Sequence, residues 1–211
     1  MRPFASDLGH RTIQRIRTLA ARAIVCGIAL MSGCAATTNP SFPIGVGDAR
    51  TALREMRAEP VGLERPVVVL AGFGDPGPGI SMLRRAIGDA VDDDRLLVVS
   101  FSIWGSFDGC RDRVLRAVSD RFGCDADGTT VEVDVVAHSM GGLIAVHAAD
   151  GDAGAGRLRI RRLFTISTPF RGAALAEVLP VNSLVRGMRP GSAFLAGIED
   201  ALARADYEIV S

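Results

Sequence analysis

The sequence predicts an α/β fold: a parallel sheet of about four strands with flanking helices. Three observations point there. Four short apolar runs, at 67–70 (VVVL), 96–101 (LLVVSF), 133–137 (VDVVA) and 163–167 (LFTIS), are spread along the chain. Each has strand length and little polar alternation, as for strands buried on both faces. Between them lie segments whose apolar residues recur at helical spacing, and such alternation builds a parallel sheet through right-handed crossovers. The third run, moreover, breaks at Ser139, and Leu143, Ile144, Val146 and Ala149 continue at helical spacing. A serine between strand and helix, with Ala137, Gly141 and Gly142 around it, marks a turn too tight for larger side chains.

The first 33 residues read as an export signal. Arg2, Arg11, Arg15, Arg17 and Arg22 precede an apolar stretch at 23–31 and then Ser32-Gly33-Cys34. The stretch is too short to span a bilayer and suits a signal peptide. Its ending, Met31-Ser32-Gly33-Cys34, resembles the lipobox of bacterial lipoproteins, with Met31 where Leu is usual. That resemblance implies cleavage before Cys34, lipidation of Cys34, and a membrane-anchored protein. With Ala35 in place of Asp, the resemblance leans toward the outer membrane. Cleavage near Ala36, or an uncleaved N-terminal anchor, is the alternative. The expected location is exported, as a periplasm-facing or outer-membrane lipoprotein.

Residues 34–65 read as a tether and a short helix. The stretch 35–43 is small, polar and Pro-containing; 48–56 carries Ala52, Leu53 and Met56 at helical spacing; 59–66 holds two prolines. At 211 residues and 48% hydrophobic, the chain suits one domain with a sizeable core. All 24 basic residues are arginine, which reflects coding bias. Net charge is zero, but from Cys34 onward 19 arginines face 23 acids, a balance of −4. No basic patch argues for nucleic acid.

The core is expected at 66–172. The run 67–70 leads into AGFGDPG at 71–77. A glycine-rich loop after a strand also suits phosphate, but the GxGxxG spacing and the P-loop lysine are missing. A helix follows at 80–91, with Met82, Leu83, Ala86, Ile87 and Ala90 on one apolar face. Asp92, Asp93 and Asp94 form a solvated acidic turn; three neighbouring carboxylates do not surround a metal ion. After the run at 96–101, Trp104 and Phe107 either line an acyl pocket or pack on the core. The helix at 108–122 takes Asp108 as N-cap and turns Val114, Leu115 and Val118 inward. Cys110 and Cys124 bracket that helix, which holds them roughly 21 Å apart, beyond the ~7 Å a disulfide spans. No bridge is expected.

The turn at 137–142 (AHSMGG) would strain Ser139 and lift its Oγ above the C-terminal edge of the sheet. It would also aim the N–H of Met140 and the helix N-terminus at an oxyanion beside that oxygen. The alternative is an ordinary turn with a serine N-cap. Beyond a Gly/Asp loop at 150–156 and a basic approach at 159–162, the last run ends in STPFRG at 167–172.

The 71–77 loop, AHSMGG and STPFRG, in this order along the chain, resemble the serine lipases and esterases of the α/β-hydrolase superfamily. The resemblance implies ester hydrolysis through an acyl-enzyme, with Ser139 as nucleophile and the N–H groups of Phe73 and Met140 as the oxyanion hole. Ala71 replaces a usual His, a mild departure because the chemistry comes from backbone. Phe170 stands where a non-catalytic His is common and would join Trp104 and Phe107 around the acyl chain. Residues 173–211, helical pieces broken by Pro180, Gly187, Pro190 and Gly191, would form a cap. In the family topology the 67–70 strand lies between the 96–101 and 133–137 strands, and the 163–167 strand lies on the outer edge. The implied partner is an ester or lipid substrate, with no cofactor and no metal.

One part is missing. A serine hydroxyl needs a base, and the fold's order is Ser, then acid, then His. His10 lies in the signal, His138 adjoins the serine and should point away from Oγ, and His147 lies about 12 Å along the next helix. Asp200, Asp206 and Glu208 follow the cap with no strand between. The expectation is therefore a C-terminally truncated lipase, impaired as it stands. The support is an apolar 163–167 strand left on an open edge, which is an aggregation liability. The alternative is a non-catalytic lipid- or acyl-binding lipoprotein.

Overall fold

A computed structural model describes residues 44–75, 78–151, 156–178 and 182–211. The expected signal peptide, Cys34 and the expected tether at 35–43 lie outside the described residues. The compact unit is Val46–Ser211, and it is an α/β fold.

Helix α1 (Val46–Ala58) opens the unit with no buried residue. Strand β1 (Val67–Leu70) is buried at all four positions, as its unbroken apolar run requires. Helix α2 (Pro78–Gly88) and strand β2 (Leu96–Val99) follow. Then come α3 (Phe107–Phe122), β3 (Val133–His138), α4 (Met140–Ala149) and β4 (Ile160–Ile166). Three helices, α5 (Leu175–Val178), α6 (Ser183–Gly187) and α7 (Ala193–Ala203), lead to β5 (Glu208–Val210).

The sheet has five strands in the order β2-β1-β3-β4-β5, and every pairing is parallel. The fifth strand corrects two sequence expectations. The β4 strand is not an edge, because Arg162, Leu163 and Phe164 pair with Glu208, Ile209 and Val210. A strand does follow the C-terminal helices, with Glu208 in it and Asp206 just before it. This pairing covers the apolar strand that the sequence leaves on an open edge. Three residues are too few to show periodicity, and a short edge strand opening on a charge is how sheets blunt their edges.

Right-handed crossovers put α2 on one face of the sheet and α3 and α4 on the other. Helix α4 buries eight of its ten residues, so it is apolar all round; α3 and α7 pack against it. Strand β3 records the two faces. Val133, Val135 and Ala137 are fully buried, whereas Asp134, Val136 and His138 alternate at half burial. The C-terminal helices share this core: Leu184, Val185, Met188, Leu195, Ile198 and Ala201 are all buried in it.

Local details differ from the sequence reading. The N-cap of α3 is Ser106, whose hydroxyl accepts the Gly109 N–H at 3.1 Å; a hydroxyl at the β-region cap position reaches the first turn as well as a carboxylate would. Helix α2 stops at Gly88, and Val91 makes a parallel bridge with Val61. Met82 is 75% exposed and so stands outside the core. Asp93 is not simply solvated. Its carboxylate accepts from the Arg95 N–H and guanidinium and from the Leu63 N–H at 3.2 Å. The hydrogen bonds from Arg95, side chain first and then backbone, hold its pKa well below the usual carboxylate range. Cys110 is buried and Cys124 exposed, both as free thiols.

Candidate active site

Ser139 follows β3 at the C-terminal edge of the sheet, half-buried, with φ 53° and ψ −124°. L-residues enter that region only with strain. Backbone bonds on both sides hold the turn: the Ser139 N–H donates to the Ile166 carbonyl at 2.8 Å, and its own carbonyl accepts the Gly142 N–H at 3.1 Å. The side chain makes no capping bond to α4. Ser106, Asn182 and Ser192, at the starts of α3, α6 and α7, all cap with their side chains. Ser139 is thus not serving as an ordinary N-cap, and its hydroxyl is not spent on the helix.

The surrounding small residues have specific neighbours. A Cβ at Gly141 would sit 2.7 Å from the carbonyl oxygens of Leu70 and Ala71, so α4 can begin against β1 only without a side chain there. A Cβ at Gly142 would meet Thr168 Oγ1 at 2.2 Å. Thr168 belongs to the STPFRG segment, so this contact joins two of the sequence motifs. Its Oγ1 is buried without a hydrogen-bond partner. Gly72, in the loop after β1, brings the third motif in: a Cβ there would lie 3.0 Å from His138 Nδ1 and 3.2 Å from Ser139 Cβ. Phe73, next along that loop, is half-buried against the core. Met140 is fully buried in the first turn of α4, where backbone N–H groups have no intrahelical acceptor. Asp75 anchors the far end of the loop by accepting the Ile80 N–H at 2.9 Å.

The three aromatic residues expected around an acyl chain differ in their surroundings. Phe107 is buried and stacks on Phe194 with ring centroids 3.6 Å apart, in the core between α3 and α7. Trp104 is 73% exposed. Its loop is tied to α6 by the Asn182 side-chain N–H donating to the Ile103 carbonyl at 3.0 Å, and by the Ser183 hydroxyl donating to Gly105. Phe170 is half-buried against the core. An apolar cavity of about 380 Å³ lies elsewhere, between α2 and the ends of β3 and β4. Ile80, Met82, Leu83 and Ala86 line it with His138 and Ile166. The period-two alternation of β3 puts His138 on that face, a signal the sequence does contain. Nothing in the sequence announces the second strained serine, Ser167 (φ 54°), at the end of the neighbouring strand.

Among the described residues no histidine hydrogen-bonds to Ser139. The His147 ring is engaged away from the turn, with Nε2 2.8 Å from Asp108 Oδ1 and an edge against Phe194. The His138 ring lies against Gly72 and lines the apolar cavity. Asp206 and Glu208 stand at the N-terminal end of β5, the opposite edge of the sheet from Ser139. Asp206 there borders a second, polar cavity of about 390 Å³ with Arg157, Arg159, Arg161 and Tyr207. Burial, with Asp150 and Asp206 nearby, pushes the Tyr207 hydroxyl up to about 12.

No family model matches the chain, and no curated protein resembles it at a significant level of sequence similarity.

Proposed function

We propose that this chain is a serine carboxylic-ester hydrolase of lipase or esterase type, built on an α/β-hydrolase core, with Ser139 as nucleophile. The observation that carries the reading is the strained Ser139 turn whose hydroxyl makes no capping bond. A strained serine with an unspent hydroxyl at a strand-to-helix junction is the geometry of a nucleophile elbow. In the reaction, Oγ bonds to the ester carbonyl carbon as its proton passes to a base. The oxyanion takes the N–H groups of Phe73 and Met140, the alcohol leaves with a proton, and water then releases the acid from the acyl-enzyme. The described residues offer that serine no base, and loss of the base from such a triad costs on the order of 10⁶ in kcat. The chain as given is expected to turn over esters very weakly. Engagement of His138 and His147 elsewhere favours a second reading, a lipoprotein that holds acyl ligands without hydrolysing them. In either case the reading includes export and membrane attachment through a lipidated Cys34.

An external base tests the assignment. Incubated with p-nitrophenyl butyrate, the chain is expected to gain one butyryl mass on Ser139, faster with added imidazole, and Ser139→Ala should gain none. An equal adduct on Ser139→Ala, or none on the wild type even with imidazole, overturns the nucleophile.

A further inference from the structure

An apolar cavity lies beside α2, lined by His138, the residue before Ser139, where the sequence does not place a binding pocket. Its walls are aliphatic side chains of one helix face, Ile80, Met82, Leu83 and Ala86, and the last residues of two strands, His138 and Ile166. No charged arginine or carboxylate lines it, although Arg84 and Arg85 lie on the same helix. His138 is the single lining side chain able to hydrogen-bond. Two large apolar groups stand in solvent at its rim, Met82 at 75% exposure and Ile166 at 42%, an arrangement that favours an apolar occupant. A volume of about 380 Å³ falls in the range of small-molecule sites, roughly 300–1,000 Å³.

The hollow adjoins the strained turn through its own lining residues. His138 precedes Ser139 in the chain, Ile166 accepts the Ser139 N–H at 2.8 Å, and Gly72 closes against both His138 and Ser139. We propose that this groove receives the aliphatic chain of a single-tailed ester or carboxylate, with the carbonyl end at Ser139. Its identification as a substrate site rests on the reading of Ser139 as nucleophile; tail binding does not need the hydroxyl. Each methylene buried there raises affinity by about threefold to fourfold until the groove is full, so the site measures chain length.

The test is displacement of dansylaminoundecanoic acid from the full chain by saturated acids from hexanoate to dodecanoate. Expected is a rise in affinity with each added methylene, then a plateau. Ala86→Trp, which fills the groove, and Met82→Asp, which charges its exposed rim and leaves the core untouched, should each weaken the long acids by about tenfold or more. Ser139→Ala should keep the rise in affinity with chain length. No length dependence, no binding by the wild type, or wild-type affinity in Met82→Asp overturns the proposal. So does a sedimenting dimer that Met82→Asp disperses, which would make a second copy the occupant. Length-dependent binding together with no acyl adduct on Ser139 would instead strike the nucleophile and leave the groove standing.

Discussion

Gly141 and Gly142 show how one atom decides the site. In a helix interior, Gly→Ala ordinarily stabilises by roughly 0.5–1 kcal/mol. Here the added Cβ meets Thr168 Oγ1 at 2.2 Å from position 142, or backbone carbonyl oxygens at 2.7 Å from position 141. Overpacking of this kind costs about 1–3 kcal/mol, so the contact outweighs the helical preference. Gly142→Ala is expected to lower the urea midpoint, and Thr168→Ala in the same chain to restore part of it, because a side chain is the obstacle. Gly141→Ala should find no such rescue. Simple additivity of Gly142→Ala and Thr168→Ala in a double-mutant cycle would show that the pair does not touch. The need for small residues here was legible in the sequence, because AHSMGG sits between an apolar run and a helical period. The identity of the neighbours was not, since Thr168 lies in the next motif and meets Gly142 only when β4 pairs with β3. The choice between the two readings of Phe107 was not legible for a related reason. An aromatic after a strand suits a pocket or a core equally well, and its stacking on Phe194 joins residues far apart in sequence.

Between elements, Asp93 ties two connections together. Its carboxylate holds Arg95 ahead of β2 and the Leu63 N–H ahead of β1. Three consecutive aspartates read as a solvated turn because sequence cannot show that the middle one faces inward. The hydrogen bonds depress its pKa, so its stabilisation is fully present above the unfolded value of about 3.9 and is lost as pH falls through the lower folded value. Asp93→Asn should therefore lie below wild type in urea stability by a constant margin from neutral pH to about 4, with the gap closing at more acid pH. A margin that persists unchanged in strong acid would mean the carboxylate's charge is not its source. The main elements were legible at this scale: four strands and the helices between them followed from periodicity, and the order of those strands in the sheet from the resemblance to the α/β-hydrolases. The fifth strand did not, because three residues carry no pattern and β5 exists only through its pairing with β4.

For the molecule as a whole, that small strand covers the edge of β4. Removing residues 206–211 would leave Leu163 and Phe164 on an unpaired edge, and such edges recruit other chains. The shortened protein is expected to self-associate, seen as rising light scattering at concentrations where the full chain scatters as before; equal scattering would mean that β4 is protected otherwise. The optical groups happen to divide the same sheet end from end. The chain's one indole, Trp104, stands in the loop after β2 at the serine's edge, and its one phenol, Tyr207, precedes β5 at the opposite edge. Emission from the first and alkaline absorbance from the second, with its ionisation held up to about 12, let one unlabelled sample report separately on each pole.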